Sequence, residues 1–167
     1  MRYFAYGSNM SLARLRARVP SAVSLGRHVL AAHELRFHKV GSDGSAKCDA
    51  FHSGDAGDFI HGVLFDICES EKPHLDLIEG LGSGYGEKRI IVQSARGDWL
   101  ESVTYTALKT DSRLQPYGWY VNHVLVGARE ASLPERYVRE KIAGVRSISD
   151  PDRDRDTRER ALHRRSW

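Results

Sequence analysis

Long apolar runs are missing from this sequence. Nowhere do ~20 consecutive residues avoid charge, which excludes a bilayer-spanning helix. The opening, Met1-Arg2-Tyr3-Phe4-Ala5-Tyr6, has neither the apolar stretch nor the small-residue cleavage site of a secretory leader, so a cytoplasmic protein is expected. Cysteine is scarce: Cys48 and Cys68 are the two, and in a reducing compartment they are expected as thiols, not a disulfide. Charge of one sign is lacking too. Lys and Arg number 25 against 22 Asp and Glu, a net +3, and the early cluster Arg2, Arg14, Arg16, Arg18 and Arg27 is offset by acids elsewhere. That balance is too mild for a nucleic-acid partner.

Several catalytic signatures are absent as well. Ser8 lies in no Gly-x-Ser-x-Gly elbow, and no histidine is set beside it by sequence logic, which argues against a serine nucleophile. The glycine-rich run from Gly80 to Gly86 follows a helix where a dinucleotide fingerprint must follow a strand, and it has no Gly-Lys-Ser/Thr, so nucleotide binding is not expected. His28, His33 and His38 recur every five residues, a spacing that alternates faces in a strand and spreads round a helix; no metal site is expected from them.

What is present suits one globular core: 167 residues, 41% hydrophobic and 28% charged. Arg2 to Ala5 reads as a strand that ends in the turn-forming Tyr6-Gly7-Ser8-Asn9. Leu12, Leu15 and Val19 then fall at helical spacing until Pro20. Residues 29–40 lean toward β structure and end at Gly41-Ser42-Asp43-Gly44-Ser45, a hairpin signal. Phe59 to Ile67 is nearly all apolar and rich in β-formers, as in a central strand covered on both faces. A helix capped by Ser70 is expected to begin at Glu71, tolerate Pro73 in its first turn and stop at Gly80. Arg89 to Val92 and Leu100 to Leu108 read as strands joined through Gly97-Asp98. Helical patterns follow over 117–130 and 133–143, the second ended by Gly144. The domain is set at 1–146. The rest, 147–167, alternates acids and bases as a charged C-terminal tail, either a solvated helix or a mobile segment. The order β, α, many β, α, α predicts an α+β fold: a mixed, mostly antiparallel small barrel flanked by helices.

Two places in this layout can do chemistry. The loop Tyr6-Gly7-Ser8-Asn9 passes from a buried strand to a helix, so its N–H groups can be left without partners and converge on an anion; the same residues are also ordinary turn chemistry. Glu79, at the end of Leu75-Asp76-Leu77-Ile78-Glu79, has Leu75 and Ile78 beside it as expected core contacts. Buried at the negative end of the helix dipole, its pKa would rise and make it a base near neutral pH; in solvent it would be an ordinary helix-end glutamate.

Three segments, Tyr3-Phe4-Ala5-Tyr6-Gly7-Ser8-Asn9-Met10, Leu75-Asp76-x-x-Glu79-Gly80 and Gly127-Ala128-Arg129-Glu130-x-x-Leu133-Pro134-x-x-Tyr137, together resemble the γ-glutamylcyclotransferase family over roughly residues 2 to 143. The resemblance implies a small mixed barrel with a pocket at the Tyr-Gly-Ser-Asn loop. It also implies release of 5-oxoproline from a small-molecule γ-glutamyl donor, without cofactor or metal. Glu79 matches the family's essential glutamate, and Tyr6, Gly7, Ser8 and Asn9 match the loop that cradles the γ-glutamyl group. Tyr105 and Tyr120 match pocket tyrosines. The rim Gly82 to Gly86 is richer in glycine than the family pattern, with Tyr85 shifted from the usual aromatic, so the acceptor is left open. A γ-glutamyl-binding protein without catalysis and a biosynthetic γ-glutamyl-removing enzyme are the alternatives; a homodimer is left open.

Overall fold

In a computed structural model, described here over residues 1–163, five strands close into a barrel in the order β1-β5-β2-β6-β7. The strands are β1 (Arg2–Ala5), β2 (Val23–Ala31), β5 (Phe59–Asp66), β6 (Tyr85–Ser94) and β7 (Trp99–Ala107). A separate hairpin, β3 (His33–Val40) and β4 (Ala46–His52), folds at the Gly41–Ser45 turn. Pairings within the barrel are antiparallel except β1 with β7, which run parallel and meet at a single register pair, Tyr3 with Val103. The α+β class and the mixed, mostly antiparallel barrel expected from the sequence are therefore found.

The apolar run at Phe59–Asp66 becomes β5, the strand held between β1 and β2, with Ile60, Val63, Leu64 and Phe65 buried. Gly62 lets β5 approach β1 closely: a Cβ there would lie 2.5 Å from the Ala5 carbonyl oxygen. Such contact is impossible for any side chain, so the glycine sets how β1 is laid down. With Phe4 and Leu15 these residues form one continuous core.

The helices are α1 (Leu12–Arg16), α2 (Lys72–Glu79), α3 (Gly118–Glu130), α4 (Glu135–Tyr137) and α5 (Arg153–Ala161). Helix α3 lies on the loop after β1. Gly127 has the main chain of Met10 and Ser11 in the space a Cβ would take, and the Glu130 carboxylate accepts the Leu12 N–H at 3.0 Å. A missing side chain and a carboxylate thus clamp the loop and start α1, whose own N-terminal serine makes no side-chain cap.

Some local expectations are corrected. Ser70 does not cap α2: a short 3-10 turn at Glu69–Glu71 precedes the helix, and the Ser70 hydroxyl contacts the Cys68 sulfur. Ile78 is not in the core. Helix α2 has two turns and only Leu75 reaches inward, leaving Ile78 38% exposed. Helix α1 stops at Arg16, and Val19 is reached through turn hydrogen bonds to the Leu15 carbonyl. The helix expected over 133–143 continues past Tyr137 as a π-type segment, Val138–Ala143. His28 lies on β2 while His33 and His38 lie on β3, and no metal-holding group of His, Cys, Asp or Glu is found among the described residues.

Of the charged tail, Arg153–Ala161 is helical, capped by the Asp152 side chain, and packs on α3. Residues 164–167 lie outside the described part. Among the described residues no helix is long and apolar enough to cross a membrane.

Candidate active site

At the end of β1 the chain turns through Tyr6-Gly7 into the 3-10 turn Ser8–Met10. Among the described residues, the N–H groups of Gly7 and Ser8 donate to no protein acceptor, the orphaned pair expected where a buried strand passes into a helical turn. Gly7 is needed for space: a Cβ would sit 3.0 Å from the Cys48 Cβ and 3.3 Å from its sulfur. Here β4 presses on the loop, and the two together wall one end of a cavity.

That cavity is small, about 30 Å³, and lined by Tyr3, Tyr6, Gly7, Ser8, Asn9, Cys48, Glu79, Tyr85, Tyr105 and Tyr120. All seven residues singled out from the sequence, Glu79, Tyr6, Gly7, Ser8, Asn9, Tyr105 and Tyr120, come together there. Sequence reasoning missed three neighbours. Tyr3 lies in the expected first strand, where its alternation with Ala5 brings the ring inward. Tyr85 falls in the glycine-rich rim of the sequence, yet it begins β6. The glycines before it form a tight turn, with Gly80 and Gly82 at positive φ and Gly84 N–H donating to the Gly80 carbonyl at 2.7 Å. Cys48 gave no signal, since what brings it in is the fold of the β3–β4 hairpin.

Each tyrosine hydroxyl has a fixed partner. Tyr6 donates to the Tyr105 carbonyl at 2.5 Å, Tyr85 donates to the Cys48 carbonyl at 2.6 Å, and Tyr120 accepts the Cys48 N–H at 3.0 Å. Tyr105 donates to Asp76 Oδ1 at 2.6 Å and so ties β7 to α2. Burial pushes all five phenols above their ordinary range; Glu79's charge adds to the effect at Tyr3 and the Asp76 bond at Tyr105. Burial likewise pushes the Cys48 thiol up to about 12. The wall is uncharged at neutral pH, and the ring edges and hydroxyls hold a shape instead of a charge.

Glu79 is the one carboxylate lining this cavity. It is held from one side. Asn9 Nδ2 donates to Oε1 at 3.0 Å and Arg18 Nη1 donates to the same oxygen at 3.1 Å. The Asn9 amide is oriented in turn, its nitrogen also donating to the Tyr3 hydroxyl at 2.9 Å and its oxygen accepting from Arg18 at 2.9 Å. Oε2 has no hydrogen-bond partner among the described residues. The site expected from the sequence, a glutamate among apolar neighbours, is thus corrected: an arginine and an amide pin one oxygen and leave the other open. Arg18 was noted only as one of an early arginine cluster; no local pattern signals that it reaches α2.

A second cavity of about 210 Å³ adjoins the first, sharing Ser8, Glu79, Tyr85 and Tyr120 and adding Arg14, Arg18, Lys39, Asp43, Lys47 and Ile78 among its walls. Together the two make a tyrosine-walled end and a charged antechamber, with Glu79 lining both.

Comparison with known proteins bears on the family and the fold. A profile of the AIG2-like family matches residues 59–140. The bovine protein named gamma-glutamylcyclotransferase is 31% identical over 142 residues, covering 81% of this chain and 73% of that one. Its human namesake is 30% identical over 150 residues, covering 86% and 77%. Among solved structures, one described as a gamma-glutamyl cyclotransferase superposes with a TM-score of 0.80 at 25% identity, covering 94% of this chain and 98% of its own.

Proposed function

The chain belongs to the γ-glutamylcyclotransferase family, and from that premise we propose that it releases 5-oxoproline from a γ-glutamyl donor by attack of the donor's own α-amine on its γ-carbonyl. The observation that carries the proposal is the half-held carboxylate. Glu79 has Oε1 in the grip of Asn9 and Arg18 and Oε2 without a hydrogen-bond partner among the described residues, and it lines a cavity whose other walls are neutral.

The chemistry needs little more. A protonated amine cannot attack, so Glu79 Oε2 takes one proton from the α-ammonium. The C–N bond of the ring then forms at the γ-carbonyl, and Glu79 hands that proton to the departing nitrogen as the amide C–N bond breaks. The second proton, shed by the ring nitrogen as it becomes the lactam N–H, follows through the same carboxylate, so that the acceptor leaves as its ammonium. One carboxylate serves both transfers. The Gly7 and Ser8 N–H groups face the oxygen on which negative charge develops, an arrangement in which a single donor typically contributes ~3 kcal/mol. Because nucleophile and electrophile belong to one molecule, folding the donor against the tyrosine wall supplies most of the orientation, an effect worth about 7 kcal/mol or more in well-aligned intramolecular reactions. No step calls for a cofactor. About 30 Å³ is room for only one or two water molecules, so a bound donor reaches beyond it. The leaving portion then extends into the adjoining 210 Å³ cavity.

The test is 5-oxoproline release from γ-glutamyl dipeptides, γ-glutamyl-ε-lysine and glutathione. Release from at least one donor is expected. Retained binding with no release from any of them would leave a binding protein in place of the enzyme.

A further inference from the structure

Strand β7 loses one neighbour partway along its length. Its edge meets β1 at Tyr3 and Val103, and the Thr104 hydroxyl donates to the Phe4 carbonyl at 2.8 Å, but β1 ends at Ala5, where the chain leaves to build the Tyr6–Asn9 loop. Beyond that point the main-chain groups on this edge need other partners. Residues two apart on a strand turn their N–H and C=O to the same edge, and here side chains serve them in succession. Tyr6 donates to the Tyr105 carbonyl at 2.5 Å, and Asp49 Oδ1 accepts the Ala107 N–H at 2.7 Å.

Asp49 is an acid that the proposed chemistry does not use. It is 4% exposed, does not line the small cavity, and follows Cys48 on β4. Its other oxygen, Oδ2, lies 2.8 Å from His38 Nε2 on β3, so one carboxylate ties both strands of the hairpin to β7. The hairpin is a sheet of its own, with no ladder to the barrel among the described residues. Burying a carboxylate is costly unless it is bonded, and charge-assisted bonds of this kind fix position closely.

The position fixed is that of Cys48. Its main chain anchors two wall tyrosines, accepting from the Tyr85 hydroxyl at 2.6 Å and donating to the Tyr120 oxygen at 3.0 Å. Its side chain backs Gly7, where an added Cβ would come within 3.0 Å of it. A slip of β4 along β7 therefore moves both tyrosines and removes the support behind the loop that carries the free Gly7 and Ser8 N–H groups.

We propose that Asp49 is a positioning residue for the reaction: its bond to the Ala107 N–H holds β4 against β7 and so aims the Gly7 and Ser8 N–H groups. The proposal rests on the cyclotransferase reading of the site.

Two substitutions separate position from charge. Asp49→Asn keeps an acceptor for the Ala107 N–H, whereas Asp49→Leu keeps the bulk without one. Each is compared with wild type by kcat and KM for 5-oxoproline release and by melting temperature. Alkylation of Cys48 by iodoacetamide, in a Cys68→Ser background so that it alone is labelled, reports how often β4 lifts away. Asp49→Leu should lower kcat by about tenfold to a hundredfold, short of the full loss of an oxyanion donor. It should also speed Cys48 alkylation at least about tenfold, well below the variant's own melting temperature. Asp49→Asn should stay within about threefold of wild type in both. A lower melting temperature for Asp49→Leu, with kcat and alkylation of the folded protein unchanged, would reduce Asp49 to a stabilising contact and overturn the proposal. Equal losses of kcat in Asp49→Asn and Asp49→Leu would overturn it too, since charge and not the bond would then matter. If no donor yields 5-oxoproline, the cyclotransferase reading fails by itself, and the alkylation rates decide whether Asp49 holds β4.

Discussion

The molecule has a hollow of about 690 Å³ between Met1, Arg2 and the strands at Arg89–Ile91 and Glu101–Val103, and a cavity of about 30 Å³ at the Tyr6–Asn9 loop. The large one exists because the barrel is barely zipped at its seam: β1 and β7 meet at one register pair, and the sheet surface beside it is left uncovered. The small one exists because five tyrosines, a glycine and a hairpin have been driven together around one carboxylate. Volume reflects the shape of a sheet, whereas function needs buried polar groups that converge. The large hollow also contains a carboxylate, Glu101, and two arginines, Arg2 and Arg89, but nothing there pins one oxygen and leaves the other free.

The sharpest way to break the comparison is to make the same change in both places. Glu79→Gln should lower kcat for 5-oxoproline release by about 10²- to 10⁴-fold, the usual loss when a positioned acid/base group is removed. Glu101→Gln, in the larger hollow, should leave it unchanged. Equal effects from the two substitutions would mean that convergence was the wrong criterion.

Next in size is Gly7→Ala. The new methyl would lie 3.0 Å from the Cys48 Cβ, and Tyr120 Oη, which anchors the Cys48 N–H, would be only 3.4 Å away. With so little room to yield, the loop must shift and its N–H groups lose their aim, so kcat should fall by up to about 10²- to 10³-fold, the loss typical of one oxyanion donor. Over-packing should also cost about 1–3 kcal/mol in urea unfolding. An alanine variant with full turnover would show that the loop shapes the cavity without serving the reaction.

How much of this could be read from the sequence follows from range. The β1 strand, the turn at Gly7, the α2 stop at Gly80 and the β6–β7 hairpin are local patterns, and each is found. Glu79, Tyr105 and Tyr120 are assigned to one pocket by the family resemblance alone; no local pattern does so, because β1, α2, β7 and α3 are brought together only by barrel closure. Arg18 shows the limit most clearly. Sixty-one positions separate it from Glu79, and no periodicity links the last residues before Pro20 to the end of α2. Tyr85 was hidden for a different reason: it sits in the glycine-rich rim, where positive φ at Gly80 and Gly82 builds a tight turn that delivers the ring.

A smaller effect separates holding from reacting within the small cavity. Tyr105→Phe removes the donor to Asp76 Oδ1 while the carbonyl that accepts from Tyr6 stays. Asp76 keeps its ion pair with Lys72, so α2 loosens without losing its place. Stability should drop by about 0.5–1.5 kcal/mol and kcat/KM only severalfold. A loss as large as that of Glu79→Gln would make the Tyr105 hydroxyl a participant in the proton transfers.

The smallest expected effect on turnover at neutral pH comes from behind the antechamber, where Arg14 joins the cavity wall to α5. Arg14 and the buried His123 both meet Glu159, at 2.6 Å and 2.9 Å, and His123 Nδ1 lies 2.5 Å from His163. Burial holds His123 at about 4, and the bond from His123, with Arg14's charge, holds Glu159 at about 2. The sign follows from which state binds the proton. Between pH 6.5 and about 4 the unfolded chain protonates His123 while the folded chain keeps it neutral, so stability is full above 6.5 and falls as pH drops through that window. Glu159 contributes stability that is full above 4.5 and is lost toward about 2. The melting temperature should therefore decline on acidification from pH 6.5, and His123→Gln should flatten the part of that decline above pH 4. An unchanged slope in the variant would mean that α5 is held by its Asp150 contacts, to Trp119 and Arg155, and that the histidine pair is incidental to docking the tail.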